Sequence, residues 1–203
     1  MAATDTGHDV MSTDSCSFGE LPRRLFVDSC TLQRLESYGE FIYDGGSIDE
    51  DDRIWSIPGG VDDIQALRRI MFVGQRACFE LVLSDNSFRE VEDSGRVSYI
   101  MWAYEVVGYW KDLLRNYADH GVAPFSGKGE ELARKLNTSK FGYFGAKDRL
   151  LIRDAVLLEC HAFLTMDKKL AKNAIHIEKE LGLKVLSPSL YWKCLQPWAA
   201  LYA

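Results

Sequence analysis

Residues 148–167 read DRLLIRDAVLLECHAFLTMD and combine a helix and a strand in one unbroken stretch. Asp148 opens a helical run that we expect to continue to about Cys160, and residues 162–165 then predict a short, buried strand. Asp167 stands two residues beyond the end of that strand. A helix that leads into an apolar strand is part of a crossover, so this stretch predicts an α/β fold.

The same alternation continues on both sides of this stretch. Residues 24–27 form a short apolar run that ends in Asp28, and a helical pattern begins near Thr31. The other predicted elements are strands over 79–83 and 183–186 and helices over 61–75, 84–92, 99–117, 130–136, 168–181 and from Pro188 onward. Short strands that alternate with helices predict a three-layer α/β/α sandwich with a mostly parallel central sheet.

Composition places most of the chain in one domain. Residues 1–20 are small, polar and aperiodic, which predicts a disordered tail before a single domain over 21–203. Residues 39–60 carry five glycines and an acidic run, so we expect a long loop with a brief extended piece at 53–57. Residues around 95–147 form a helical insertion, in which the pattern breaks between Gly121 and Gly129.

Charge, cysteine content and hydropathy exclude some classes of protein. The net charge of −6 argues against a protein that holds nucleic acid by bulk positive charge. The five cysteines are widely separated and form no C-x-x-C pair, which argues against zinc or redox chemistry and favours a reducing cytoplasm. No apolar run approaches the roughly 20 residues needed to cross a bilayer, so we expect a cytoplasmic protein without a membrane partner.

Four acidic residues are the candidate site. Asp28 and Asp167 follow predicted strands, and the carboxyl ends of parallel strands meet at one edge of the sheet. Asp148 in the first turn of its helix and Glu90 in an adjoining helix can reach the same edge. Carboxylates without His or Cys suit Mg²⁺ or Mn²⁺, whose chemistry includes phosphodiester cleavage.

Three segments that carry these acids resemble the PIN-domain nucleases over roughly residues 23–187. They are LFVDS at 25–29, SDNSFRE at 84–90 and the stretch 148–167 with its closing Thr-x-Asp. The resemblance implies a metal-dependent endonuclease that acts on RNA, with Asp28, Glu90, Asp148 and Asp167 as the Mg²⁺ or Mn²⁺ ligands. It also implies a supporting hydroxyl from Thr165 and a neighbouring role for Ser29.

Each acid also has a structural interpretation. Asp28 and Asp167 can cap the helices that follow them, and Asp148 can simply favour the positive end of its helix. Glu90 competes with Glu92 and Asp85, since surface helices carry acids routinely. Asp154 points about 120° away from Asp148 around the helix and is only a reserve candidate.

Other polar and aromatic residues permit two interpretations as well. We interpret His161 and His176 as structural. A basic group near the Asp148 helix is either a solvated face or the best set of RNA contacts: Arg134, Lys135, Lys140, Lys147, Arg149 and Arg153. Six aromatic residues are either core or base-stacking groups, and helical spacing favours the core: Trp102, Tyr109, Trp110, Tyr191, Trp192 and Trp198.

Two rival functions follow from the same residues. A catalytically inactive PIN-like module that binds RNA or protein would keep the fold and some of the acids. An aspartate-nucleophile phosphatase is disfavoured because Cys30 occupies the position where that chemistry needs a second Asp. A homodimer and an antitoxin partner are compatible with the sequence, which supports neither.

Overall fold

The computed structural model describes residues 16–77, 79–116 and 126–202 and contains a small, fully parallel sheet. The strands are β1 (Arg24–Val27), β2 (Glu80–Val82), β3 (Ala162–Leu164) and β4 (Lys184–Leu186). Their order across the sheet is β2-β1-β3-β4. The predicted α/β class and parallel sheet are therefore confirmed.

Helices make up most of the described chain and fill the connections between the strands. Their bounds are α1 Ser29–Ser37, α2 Gly39–Tyr43, α3 Gly60–Ala77, α4 Asp85–Asp93, α5 Val97–Asn116, α6 Gly129–Lys135, α7 Ala146–Leu157, α8 Lys168–Ala171, α9 Ala174–Leu181 and α10 Pro188–Leu195. Among the helices of the described ranges, none is long and apolar enough to cross a membrane.

Alternation along β1 divides the apolar side chains into two clusters. Leu25 and Val27 pack with residues of α1, α3 and α5. Phe26 points the other way and stacks on Phe163, with ring centroids 5.0 Å apart, in a cluster that includes residues of α6, α7 and α9. Successive side chains of a strand point to opposite faces, so each face of β1 contributes to its own core.

The strand order locates the place where a site can form. β1 pairs with β2 on one side and with β3 on the other, so the chain changes direction across the sheet at β1. In open parallel sheets, the crevice at such a switch point, beyond the carboxyl ends of the strands, is where ligands bind. Here Asp28 and Thr165 immediately follow the two paired strands.

The segment 39–60 differs from the predicted loop. It begins with α2, and residues Arg53–Ser56 form a 3-10 turn where an extended piece was expected. Long-range packing explains both, since Ile42 is buried and Ile54 is completely inaccessible. The Asp52 carboxylate also caps the turn at the backbone N–H of Ile54 (2.7 Å).

The bounds of two predicted helices are wrong, and residues of the predicted N-terminal tail contact the rest of the chain. The helix expected over 168–181 is two helices, α8 and α9, separated at 172–173. Asp148 is the third residue of α7, which begins at Ala146 and ends at Leu157. Residues 16–20 are packed, because Phe18 contacts the Trp198 ring with centroids 5.5 Å apart. The remaining predictions for 1–15, Tyr117 and 121–125 lie outside the described residues.

Candidate active site at the carboxyl edge of the sheet

Asp28 is the most buried acid of the candidate site. It ends β1 and is the N-cap of α1, where its Oδ1 accepts the backbone N–H of Thr31 at 2.6 Å. Its Oδ2 accepts a hydrogen bond from the Thr165 hydroxyl. The residue is only 5% exposed. The carboxylate is therefore held in one orientation by a backbone donor and a side-chain donor from two different segments.

The Thr165 hydroxyl also links Asp167 to the Asp28 carboxylate. The Thr165 Oγ1 that donates to Asp28 also accepts the backbone N–H of Asp167 at 2.9 Å. The Asp167 side chain is half-buried and accepts the backbone N–H of Lys169 at 2.7 Å, so it caps α8 as well. The Thr-x-Asp segment thus joins the two predicted site acids, as the topology led us to expect.

Burial and the nearby charge of Asp167 both raise the pKa of Asp28. Burial raises the pKa of Asp28 to about 6, the hydrogen bonds from Thr165 and Thr31 oppose that rise, and the nearby Asp167 charge adds to it. No ion pair in the described ranges joins Asp28 or Asp167 to a basic side chain. A cation at this edge would favour the charged form of both carboxylates.

Glu90 reaches the site from α4. The Ser29 hydroxyl, next in sequence to Asp28, donates a hydrogen bond to Glu90 Oε2. Both residues line a cleft of about 340 Å³ together with Cys30, Tyr99 and Lys147. Glu92, one of its predicted competitors, accepts the Tyr104 hydroxyl at 2.7 Å instead. The structure therefore places Glu90, and not Glu92, beside Ser29, the residue that follows Asp28 in sequence.

Asp148 is the predicted site residue that the structure leaves apart. It is exposed in the first turn of α7, and a Cβ at Gly145 would lie 3.3 Å from its Oδ2, so the carboxylate sits over the helix start. In the described contacts it has no hydrogen bond to Asp28, Glu90 or Asp167. This position suits the structural interpretation, in which the helix dipole favours the charge.

Thr31 is a supporting residue that the sequence did not reveal. Its hydroxyl donates to the carbonyl of Leu164 at 3.2 Å and accepts the backbone N–H of Met166 at 3.1 Å. These bonds join the start of α1 to the end of β3. A Thr three residues after a strand-ending Asp is the signal, but a capped helix start contains Thr for many reasons.

The remaining polar candidates have structural partners. Asp154 accepts the Asn86 side-chain N–H at 2.7 Å and so ties α7 to α4. His161 Nδ1 accepts the backbone N–H of Arg23 at 3.1 Å. Burial raises the pKa of the Cys30 thiol to about 11, which keeps that thiol protonated and unreactive at neutral pH.

The basic group near α7 is mostly engaged by nearby oxygens. Lys140 Nζ lies 3.1 Å from Glu180 Oε1, and Lys147 Nζ lies 3.5 Å from Asp93 Oδ2. Arg149 donates to the Phe144 carbonyl at 3.2 Å, although its buried Nε has no partner among the described residues. Lys147 is highly exposed and lines the same cleft as Glu90, which makes it the best-placed phosphate contact of the group.

The candidate site has two linked carboxylates for a hard divalent cation but, within the described ranges, not a larger cluster of protein ligands. In the part of the chain that the structure describes, no three His, Cys, Asp or Glu side chains are grouped closely enough to hold a metal. Mg²⁺, however, commonly binds through one or two carboxylates and completes its shell with water and substrate phosphates. Asp28 and Asp167 meet that smaller requirement, and Glu90 is joined to the adjacent Ser29.

Comparison of this chain with protein-family models, with curated proteins and with solved structures gives no match.

Proposed function

We propose that this chain is a metal-dependent phosphodiesterase of PIN-like type, with a three-layer α/β/α fold, that cleaves RNA in a cytoplasmic setting. One observation carries the proposal. Asp28 is a buried carboxylate beside a second carboxylate, at the switch point of a parallel sheet, with no basic side chain paired to either in the described residues. A buried charge needs compensation, and a divalent cation supplies it at a place where ligands bind.

The fold part of the proposal rests on the two apolar clusters. One contains Leu25 and Val27 and the other contains Phe26, so the faces of β1 contribute to separate cores. Helices that contribute to both clusters support the three layers expected of a parallel sheet. The resemblance of the short segments around Asp28, Glu90 and Asp167 to PIN-domain nucleases supports the finer assignment.

Each residue of the candidate site has a separate role in the proposed phosphodiester cleavage. Asp28 and Asp167 would hold Mg²⁺ or Mn²⁺, which lowers the pKa of bound water and neutralises charge on the phosphate. Thr165 fixes the orientation of Asp28 by its hydrogen bond. Ser29 fixes one oxygen of Glu90, and Oε1 of Glu90 has no hydrogen bond in the described residues, so it can accept one from water in the cleft. Lys147 can contact the phosphate.

The position of Asp148 favours a second candidate function. Its carboxylate stays over the start of α7, and only Asp28 and Asp167 of the four predicted acids are joined, through Thr165, in the described residues. An inactive PIN-like module that binds RNA or protein would keep this placement of the acids and would not catalyse cleavage. Cleavage experiments distinguish the two functions directly.

We expect metal-dependent cleavage to depend on Asp28. End-labelled single-stranded RNA is incubated with wild type, Asp28→Asn and the control Asp63→Asn, each with Mg²⁺, Mn²⁺ or EDTA. Asp63 is a suitable control because it is also buried, at 8% exposure, and accepts a backbone N–H, that of Ser189. Loss of a direct ligand should slow cleavage by about 100-fold or more, at least the effect of removing an outer partner.

The outcomes separate the hypotheses once circular dichroism shows that each variant is folded. Cleavage by wild type and Asp63→Asn that EDTA abolishes, with little cleavage by Asp28→Asn, supports the nuclease and its site. Equal metal-dependent cleavage by Asp28→Asn contradicts the site. No cleavage by any folded protein supports the binding module.

A further inference from the structure

A second cavity lies away from the carboxyl edge. It has a volume of about 760 Å³ and is enclosed by α2, α3, α10 and the 3-10 segment Gln196–Tyr202. None of its lining residues belongs to the cleft that contains Glu90. Pockets for small molecules commonly measure about 300–1,000 Å³, so this cavity can enclose a small ligand. We call it the arginine pocket, after Arg68 and Arg69.

The arginine pocket is positive in an acidic protein. Arg68 and Arg69 are the charged residues among those that line it, and no Asp or Glu is among them. Each guanidinium lies over an aromatic ring, Arg68 at 4.9 Å from the Phe41 centroid and Arg69 at 5.7 Å from that of Trp192. Neither forms an ion pair with a carboxylate in the described residues. Their charge is therefore free to hold an anion.

Trp192 offers an unused donor beside these charges. Its Nε1 is buried and has no hydrogen-bond partner among the described residues, although indole N–H groups normally find an acceptor when buried. Trp192 lines the arginine pocket and its ring already contacts Arg69. An oxygen acceptor bound near Arg69 would satisfy the guanidinium and give the indole N–H a partner.

Aromatic rings make up much of the remaining wall. Tyr43 and Phe72 line the pocket and are 40% and 58% exposed, which is unusual for side chains of this size. Exposed rings favour a ligand with a flat, apolar face, since stacking of a base on an aromatic ring stabilises a complex. Phosphate suits an arginine that lines the pocket, because the guanidinium fork matches its geometry in two-point hydrogen bonds.

We propose that the arginine pocket binds a nucleoside monophosphate. The phosphate lies against Arg68 and Arg69, one of its oxygens accepts from Trp192, and the base packs on the exposed rings. The charge and aromatic lining of this cavity carry the assignment, and it does not depend on nuclease activity at the carboxyl edge.

Calorimetry tests the pocket separately from the proposed active site. Adenosine and uridine monophosphates are titrated in EDTA into a protein that carries Asp28→Asn, so that metal binding at the edge does not contribute. Arg69→Gln in that background should weaken binding by about tenfold or more, since it removes a charge-assisted hydrogen bond. The control Arg89→Gln changes an exposed arginine of α4 that donates to the Asn86 side-chain oxygen at 3.0 Å and does not line the pocket, and it should leave the affinity unchanged.

Other ligands and variants complete the test. Adenosine and inorganic phosphate should each bind more weakly than the monophosphate, because each lacks half of the recognised chemistry. Trp192→Phe keeps a ring and removes the N–H donor, so it should weaken binding even if Arg69→Gln does not fold. The proposal is overturned by the absence of binding at about 5 mM nucleotide, by equal affinity of folded Arg69→Gln or Trp192→Phe, or by adenosine binding as tightly as its monophosphate.

Discussion

Strand β1 begins with a buried guanidinium and ends with a buried carboxylate, since Arg24 and Asp28 are each 5% exposed. The register pairs Arg24 with Glu80 of β2, and Arg24 Nε lies 2.6 Å from Glu80 Oε2. Asp28 receives hydrogen bonds from Thr31 and Thr165 but has a second carboxylate, Asp167, as its charged neighbour.

The two ends of β1 differ in whether a neighbouring residue neutralises the buried charge. At the amino end of β1 the opposite charge comes from the neighbouring strand, so the pair is part of the structure. At the carboxyl end, the described residues supply hydrogen bonds and no opposite charge. A proton or a cation from outside would therefore stabilise the protein at Asp28, and the second possibility makes this end of the strand a candidate site.

The largest effect is expected from removing the charge pair at the amino end. Arg24→Met should lower the free energy of unfolding by about 3 kcal/mol, because the partner carboxylate is left partly buried and unpaired. Urea denaturation measures the change. The double variant Arg24→Met/Glu80→Gln should recover most of the loss, since neutral replacements of a buried pair are often tolerated. A double variant as unstable as the single one would show that packing, not charge, is responsible.

At the carboxyl end, removal of the Asp28 charge should raise the free energy of unfolding of the metal-free protein, whereas removal of the Arg24 charge lowers it. In the folded protein the pKa of Asp28 is raised from 3.8 to about 6, so the folded state binds the proton more tightly than the unfolded chain. Stability of the metal-free protein should therefore fall as pH rises from about 4 to about 6, by about 3 kcal/mol in total. Asp28→Asn should remove this part of the pH dependence.

Urea denaturation in EDTA at several pH values measures that difference. At neutral pH the Asp28→Asn variant should be more stable than wild type, and the two should converge near pH 4. Asp63→Asn is the matched control and should not share the gain. A wild-type protein whose advantage over Asp28→Asn grows with pH would show that the ionised carboxylate is already compensated within the fold.

A smaller effect is expected from the hydroxyl that joins the two carboxylates. Thr165→Val keeps the side-chain shape and removes the hydrogen bond that favours ionised Asp28, so the pKa of Asp28 should rise above about 6. The stability loss should be about 1–2 kcal/mol. Carbon-13 NMR of the Asp28 carboxyl group follows the titration. In the control Thr138→Val, a hydroxyl that donates to the Lys135 carbonyl is lost, and the Asp28 titration should not move.

The parts of the fold that the sequence predicted correctly depend on local pattern. The apolar run 24–27, bounded by Asp28, predicted β1 with its observed limits. The helix predicted from residue 84 is α4, and the Ser84 hydroxyl caps it by accepting the backbone N–H of Ser87. The helical pattern predicted to end at residue 181 does end there, and Gly182 follows with a φ of 69° that glycine adopts without strain. These features depend on neighbouring residues alone.

The parts that failed depend on distant contacts. Helix α2 is five residues long and has little intrinsic stability, so burial of Ile42 against the rest of the core decides it. For the site, topology alone brought Asp28 and Asp167 to one edge of the sheet. The side-chain direction of Asp148 and the bridging role of Thr31 depend on rotamers and on the position of β3, which no local pattern contains.

Binding of Mn²⁺ to the metal-free protein at neutral pH tests the central claim most directly. Isothermal titration calorimetry of wild type, Asp28→Asn and Asp63→Asn compares the carboxylate of the proposed site with a buried carboxylate outside it. We predict that wild type and Asp63→Asn bind the ion with similar affinity and that Asp28→Asn loses this binding. Equal Mn²⁺ affinity in folded Asp28→Asn, or no binding to wild type, would contradict a cation site at the carboxyl end of β1.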